Sequence, residues 1–241
     1  MQQQPLYLDA APVVAHATPD QRAAFITRTY LHLLGAILLF VVLETAWFVT
    51  PVAAGIFQML QAGGRFGWLL MMAGFIGVSY LADRWAQTST SRPMQYAGLG
   101  LYTLVQSVMF VPLIGVALMF SAQGETNLLS KAAMITAMLF VSLTGIVFVT
   151  RKDFSFLRGI LLFGGLAALG LALVSVVFGF TLGMFFSYAM IALACGYILY
   201  DTSNVMLRYR TSQHVAAALA LFAAVMLLFW YVLRILIDRR R

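Results

Sequence analysis

The sequence predicts an all-α polytopic membrane protein with seven transmembrane helices, and three observations carry that prediction. Apolar residues make up 62 % of the 241 and charged residues only 10 %, against roughly 45–50 % and about 25 % in soluble domains. The mean hydropathy is +0.92, and a soluble fold of such composition would have to build its outer shell from Leu, Phe and Met. The apolar residues gather into seven blocks, at about 29–49, 66–82, 96–120, 132–149, 159–179, 183–200 and 215–237. Each approaches the ~20 residues a helix needs to cross a hydrocarbon core of ~30 Å.

The elements follow in order. Residues 1–28 are polar, with Gln2, Gln3 and Gln4 and no apolar run, so they read as a cytoplasmic tail and not as a cleavable signal peptide. The first block is then an uncleaved anchor. Residues 29–237 form a single seven-helix transmembrane domain, and 238–241 a basic C-terminal tail. Blocks five and six are separated only by FGFTLGMF at 178–185, which predicts one long buried hairpin. Trp47, Trp68, Trp85 and Trp230 fall near block ends, where amphipathic rings favour the headgroup layer. Gly164, Gly165 and Gly170 would let helices approach closely.

Basic residues orient the chain. With the N-terminus on side one, that side carries Arg22, Arg28, Arg84, Arg92, Arg151, Lys152, Arg158, Arg208 and Arg210. Side two has Arg65 and Lys131 before the tail. The bias of nine to two places the N-terminus in the cytoplasm, in the manner of a bacterial inner-membrane protein. The tail RILIDRRR at 234–241 runs against the count. Either the bias tolerates a late exception, or the last segment does not fully cross.

Several function classes are excluded or disfavoured. The net charge of +7 is scattered between apolar blocks without a basic and aromatic cluster, so nucleic acid is not an expected partner. No GxSxG elbow, Walker A loop or HExxH occurs, and GLGLY at 98–102 lacks the third glycine of a dinucleotide fingerprint. His16, His32 and His214 are spread over the tail, the first block and the last loop, and their spacing gives no reason to expect a zinc site. The single cysteine, Cys195, reads as small apolar filler. The expectation is a protein that is not an enzyme and carries no cofactor.

Charges at membrane depth are therefore the informative residues, because a carboxylate at a helix centre costs about 2.5–3.5 kcal/mol on an insertion scale. Glu44 lies about five residues inside the far end of the first block, ~8 Å at 1.5 Å per residue. It is either an acid that snorkels to the outer headgroups or is protonated, or an outer-mouth ligand for a cation. Arg234 lies about a turn inside the last block, where snorkelling accounts for it. Asp201, in CGYILYDTSNVM at 195–206, closes the sixth block on side one. It is either an interfacial marker or the chemical centre.

Four stretches carry a resemblance. RTY at 28–30, TRKDFSFL at 150–157, ILYDTSN at 198–204 and LLFWYVLRIL at 227–236 together resemble the Bax inhibitor family of seven-helix membrane proteins. The resemblance implies six helices around a central seventh and, in some members, a pH-sensitive calcium leak. In those members two aspartates share a proton near the cytoplasmic mouth, one ending the sixth helix and one in the seventh, with a basic latch. Asp201 matches the first position. Ala224 stands where the second aspartate would be, Leu227 where an asparagine is common, and Gln106 where leak-type members often carry a glutamate. Arg84 is the first candidate for the latch and Arg92 the reserve.

A carboxylate pair can act as a proton-operated gate because two acids in contact titrate together. With Ala224 in the second place, that switch is expected to be absent. Such a pattern is similar to a bacterial branch associated with modulating a membrane-bound ATP-dependent protease. Two readings follow. As an interaction protein, the chain regulates membrane stress or quality control by binding such a protease or its partners through its polar tail and lipid-facing helix surfaces. As a transport protein, it leaks calcium or another cation weakly, with Asp201, and Glu44 at the far side, as ligands. Asp201 is expected to be buried near side one and ion-paired, with Arg84 first.

Overall fold

The computed structural model describes residues 11–87, 91–122 and 127–239. Among them are seven helices long and apolar enough to cross a membrane: α1 (Pro19–Val49), α2 (Val52–Ala86), α3 (Arg92–Ala122), α4 (Leu128–Thr150), α5 (Leu157–Phe178), α6 (Gly183–Leu207) and α7 (His214–Asp238). The polar opening 1–10 and the last two basic residues lie outside the described residues.

Two helices begin earlier than hydropathy suggests. α1 starts at Pro19, inside the stretch read as a tail. Thr18 caps it: the Gln21 amide donates to the Thr18 hydroxyl, and the Thr18 amide donates to the Gln21 side-chain carbonyl. This reciprocal box plus a proline at the first position nucleates a helix whatever the hydropathy of its first turns. Similarly, 50–65 is not a loop. Only Thr50 and Pro51 separate α1 from α2, and the helix runs on to a kink at Gly64, where φ is +50°. Arg65, just beyond the kink, donates to the Val177 carbonyl at 3.4 Å and joins α2 to the end of α5.

α7 is the most buried helix. It packs against α1, α2, α3, α4 and α6, and 72 % of its most apolar stretch is buried, against 6 % for α5. α5 packs on α6 and α2, so the expectation of a buried α5–α6 hairpin fails for its first half. The hairpin itself forms, turning at Gly179 with φ +76° and Gly183 with φ +64°. The α5–α6 contact is close at Gly164 and Gly165, where an added Cβ would meet Leu193 at 2.8 Å and the Tyr197 hydroxyl at 2.6 Å, whereas Gly170 faces open space. α7 has 25 residues, or ~37 Å of helix, which suffices to cross. Near its end Arg234 pairs with Asp238 one turn on, at 3.8 Å.

Candidate functional site

The end of the bundle bearing the α1 N-terminus gathers the two most distinctive stretches of the sequence. Ser203, 1 % exposed, takes the Phe154 amide on its hydroxyl at 3.1 Å and donates to the Lys152 carbonyl at 3.4 Å. Arg208 closes the same junction on Asp153 at 2.9 Å. TRKDFSFL and ILYDTSN are thus one joint, clamping the α4–α5 connection to the end of α6. Arg151 makes the turn possible by adopting φ +51° after the last turn of α4. The Arg208 hydrogen bond, followed by the Ser155 amide, holds the Asp153 carboxyl below the usual range.

The short segment before α1 adds a strap. The Val14 amide donates to the Tyr209 carbonyl at 2.9 Å and the Thr211 amide to the Pro12 carbonyl at 3.1 Å, forming an isolated antiparallel bridge between Val13 and Arg210. Val14 is fully buried. Arg22 holds the strap from α1, donating to the Val14 carbonyl at 3.2 Å and the Ala15 carbonyl at 2.9 Å. Hydropathy could not reveal this, because a three-residue strand pairing has no period to read.

Asp201 lies about two turns before the Tyr209–Thr211 segment that holds the strap and is 8 % exposed. Its burial follows from the fold, since α6 turns this face to the bundle and Ile198, Thr202 and Val205 around it are fully buried. The expected ion pair with Arg84 is not formed. Arg84 is exposed and sits over the Tyr80 ring at 5.6 Å, a cation–π contact within its own helix. Among the described residues no hydrogen bond or ion pair reaches the Asp201 carboxylate. Arg92, the reserve, is exposed at the start of α3. The correction has a simple cause: Arg84 follows the outer face of α2, and nothing in hydropathy says which face a flanking residue takes.

Asp83 stands next to Arg84 near the end of α2. It accepts from the Gln87 amide at 2.6 Å. Burial, followed by the Asp201, Asp83 and Tyr200 charges, pushes the Tyr209 phenol up, so one phenol senses acids of both α2 and α6. Tyr209 also meets Phe25 at 6.5 Å between ring centroids. Beside Asp201 in the chain, the Thr202 hydroxyl converges with those of Tyr30 and Thr144, yet none of the three reaches hydrogen-bond geometry. The Asn204 side-chain carbonyl oxygen Oδ1 is likewise buried without a partner.

The deeper candidates are also in the core. Glu44 is 7 % exposed, and neither carboxylate oxygen has a partner among the described residues, so it does not snorkel. Gln106 is equally buried, its carbonyl oxygen unpartnered. A hydrogen bond from the Trp47 indole to Ser107 at 3.0 Å ties the turn of α1 after Glu44 to the turn of α3 that carries Gln106. Ala224 is 4 % exposed in α7. Asp201 lies six residues before the end of α6 and Ala224 ten residues into α7, so the two differ in depth by about one turn.

Two of the three histidines, far apart in the sequence, come together in the fold. His32 and His214 are 5.0 Å apart between ring centroids, and His32 stacks on Tyr96 at 5.4 Å with an interplanar angle of 11°. His16 stays exposed at the end of the short turn Val14–His16. Among the described residues no three of His, Cys, Asp and Glu come together to hold a metal ion.

A family model described as "Inhibitor of apoptosis-promoting Bax1" (Bax1-I) matches residues 22–241. "Bax inhibitor 1" of Schizosaccharomyces pombe is 28 % identical over 232 residues, covering 92 % of this chain and 79 % of that protein. "Protein LIFEGUARD 4" of Arabidopsis thaliana is 29 % identical over 226 residues, covering 90 % and 86 %. An "Uncharacterized membrane protein" of Vibrio cholerae is 28 % identical over 171 residues, covering 70 % and 73 %.

Proposed function

Because this chain belongs to the Bax inhibitor family of integral membrane proteins, we propose that it passes a cation, calcium first, slowly across the bilayer without enzymatic chemistry, with Asp201 as the carboxylate the ion meets. The observation that carries this reading is the isolation of Asp201: a buried acid with no hydrogen bond or ion pair among the described residues. A structural carboxylate is normally paired when buried, because desolvation costs several kcal/mol per ion, whereas an intramembrane acid left open is by default a functional one. Hard oxygen donors suit calcium, and Thr202 and Asn204 bring further unpartnered oxygens to the same end of α6. Glu44, in the core of α1, is the second acid along such a path.

The positive-inside bias supports a cytoplasmic Asp201 end, with the N-terminus on the same side, and a bacterial inner membrane is the location in keeping with this reading. Control of a membrane-bound ATP-dependent protease is the other activity the family resemblance carries. It would use the polar N-terminal segment as a docking arm, yet residues 12–14 are here engaged by the α6–α7 connection.

The test is calcium entry into proteoliposomes loaded with a calcium dye, comparing wild type with Asp201→Asn. A flux that falls to the protein-free rate in the variant supports the reading. An unchanged flux in Asp201→Asn, or none in wild type, overturns it.

A further inference from the structure

A crevice of about 280 Å³ opens between α1 and α3 at the end of the bundle that carries the basic residues. Its two walls have the same order of residues. On α1, Arg28 is followed one turn later by His32, then Gly35 and Leu39; on α3, Arg92 is followed by Tyr96, then Gly100 and Thr103. Residues four apart share a helix face, so each arginine stands one turn outside an aromatic ring. The rings of His32 and Tyr96 stack at 5.4 Å between them, and the His32 Nδ1–H donates to the Arg28 carbonyl at 2.6 Å, fixing the imidazole.

The charge at this place is unbalanced. Arg28 and Arg92 are exposed and neither is paired with an acid among the described residues. Both lie within electrostatic range of His214, whose ring meets His32 at 5.0 Å and Tyr96 at 6.5 Å. His214 is 5 % exposed with an unpartnered Nδ1. Two arginines, one from α1 and one from α3, therefore stand beside a cluster of the His32, Tyr96 and His214 rings, and neither arginine is paired with an acid among the described residues.

Inward of the rings the character changes. The crevice is mostly apolar, and both Gly35 and Gly100 face open space, with nothing within 4 Å of an added Cβ. From His32 to Leu39 it follows seven residues of α1, or ~10 Å of depth. A small anion would leave this slot empty. An acyl chain fits it, and the attached phosphate would then lie at the level of the arginines.

We propose that the α1–α3 crevice is a binding site for one anionic phospholipid, its phosphate held by Arg28 and Arg92 and one acyl chain laid over Gly35 and Gly100. Basic pockets between helices at the cytoplasmic side of a membrane recognise lipid headgroups in this way. The two arginines favour a headgroup with net negative charge over a zwitterionic one.

Native mass spectrometry of the full chain in detergent tests this, with phosphatidylglycerol and phosphatidylcholine of identical chains as probes and glycerol phosphate as headgroup alone. Wild type is expected to retain phosphatidylglycerol over phosphatidylcholine by roughly tenfold or more. The double variant Arg28→Gln, Arg92→Gln should lose that preference while still retaining lipid. Gly100→Leu, whose Cβ meets nothing within 4 Å and whose side chain would take up space in the slot, should lose bound phosphatidylglycerol with both arginines intact. Millimolar glycerol phosphate should leave the lipid in place. Persistence of the preference without the arginines, retention of the lipid by Gly100→Leu, or displacement by glycerol phosphate would each overturn the assignment. None of these measurements involves calcium flux, so they stand apart from the fate of Asp201.

Discussion

Arg208 at the end of α6 holds Asp153 of the α4–α5 connection at 2.9 Å, with about half of each side chain in solvent. A pair so exposed contributes about 0.2–1 kcal/mol and is screened by salt. The Asp153 carboxyl is depressed by Arg208 in the fold, so its contribution is complete above the ordinary aspartate range near 3.9 and fades as pH falls through the lower folded value. Asp153→Asn should therefore lower the melting midpoint slightly at neutral pH and low salt, and not at all at pH 2 or in molar salt. A midpoint difference that persists at pH 2 would show that the side chain acts through something other than its charge.

Ser203 beneath that pair should matter more. It is buried and serves both the Phe154 amide and the Lys152 carbonyl. Ser203→Ala leaves the amide without its acceptor, a loss on the order of 1–3 kcal/mol. Thermal unfolding in detergent measures it, and amide exchange at Phe154 should quicken in step. Protection at Phe154 that survives the substitution would mean another group takes its place.

Asp201→Asn reverses the sign expected from an ion pair. Had Arg84 been its partner, removing the charge would orphan a cation at a cost of about 3–5 kcal/mol. Arg84 lies over Tyr80 instead, and the carboxylate is buried alone. Neutralising it should raise the detergent-phase melting midpoint, by the equivalent of roughly 1–3 kcal/mol. A fall in the midpoint would reveal a partner to Asp201.

Ala224→Asp tests the missing half of the pair. Ala224 is buried on α7, about one turn deeper than Asp201 on the neighbouring α6. Two carboxylates in contact titrate as a pair, so calcium flux through the variant should differ clearly between pH 6 and pH 8, while wild-type flux varies little. Steeply gated wild-type flux that vanishes in Asp201→Asn would show that one carboxylate suffices.

Gly98 fixes the distance between α2 and α3. A Cβ there would stand 2.6 Å from both the Ala82 carbonyl oxygen and the Ala86 nitrogen, and backbone atoms cannot move aside as a side chain can. Gly98→Ala should destabilise by about 1–3 kcal/mol. Gly74→Ala, with nothing within 4 Å, is the control and should be neutral or better, since alanine favours the helix.

The sequence by itself determined the number of spans and the end of the bundle at which the basic residues meet. Twenty apolar residues in a row have one stable arrangement in a bilayer, a helix whose backbone bonds to itself, and that condition is local. Starts were less legible. The Thr18–Gln21 box begins α1 among residues whose polarity reads as a tail, and α2 begins at Val52, directly after Pro51, and reaches its kink at Gly64 before the apolar block starts.

Which neighbour each helix has was decided by tertiary structure. α5 is the most apolar of the seven and the least buried, while α7, nearly as apolar, is the most buried. Lipid tails and leucine side chains are equivalent surroundings to an apolar residue, so hydropathy cannot distinguish the rim from the centre. The same holds for partners. His32 and His214 meet because α1 and α7 pack, and Asp201 stays alone because Arg84 faces outward over Tyr80. Those contacts are set by how helix faces rotate against one another, a property of the assembled bundle that no single stretch of its sequence contains.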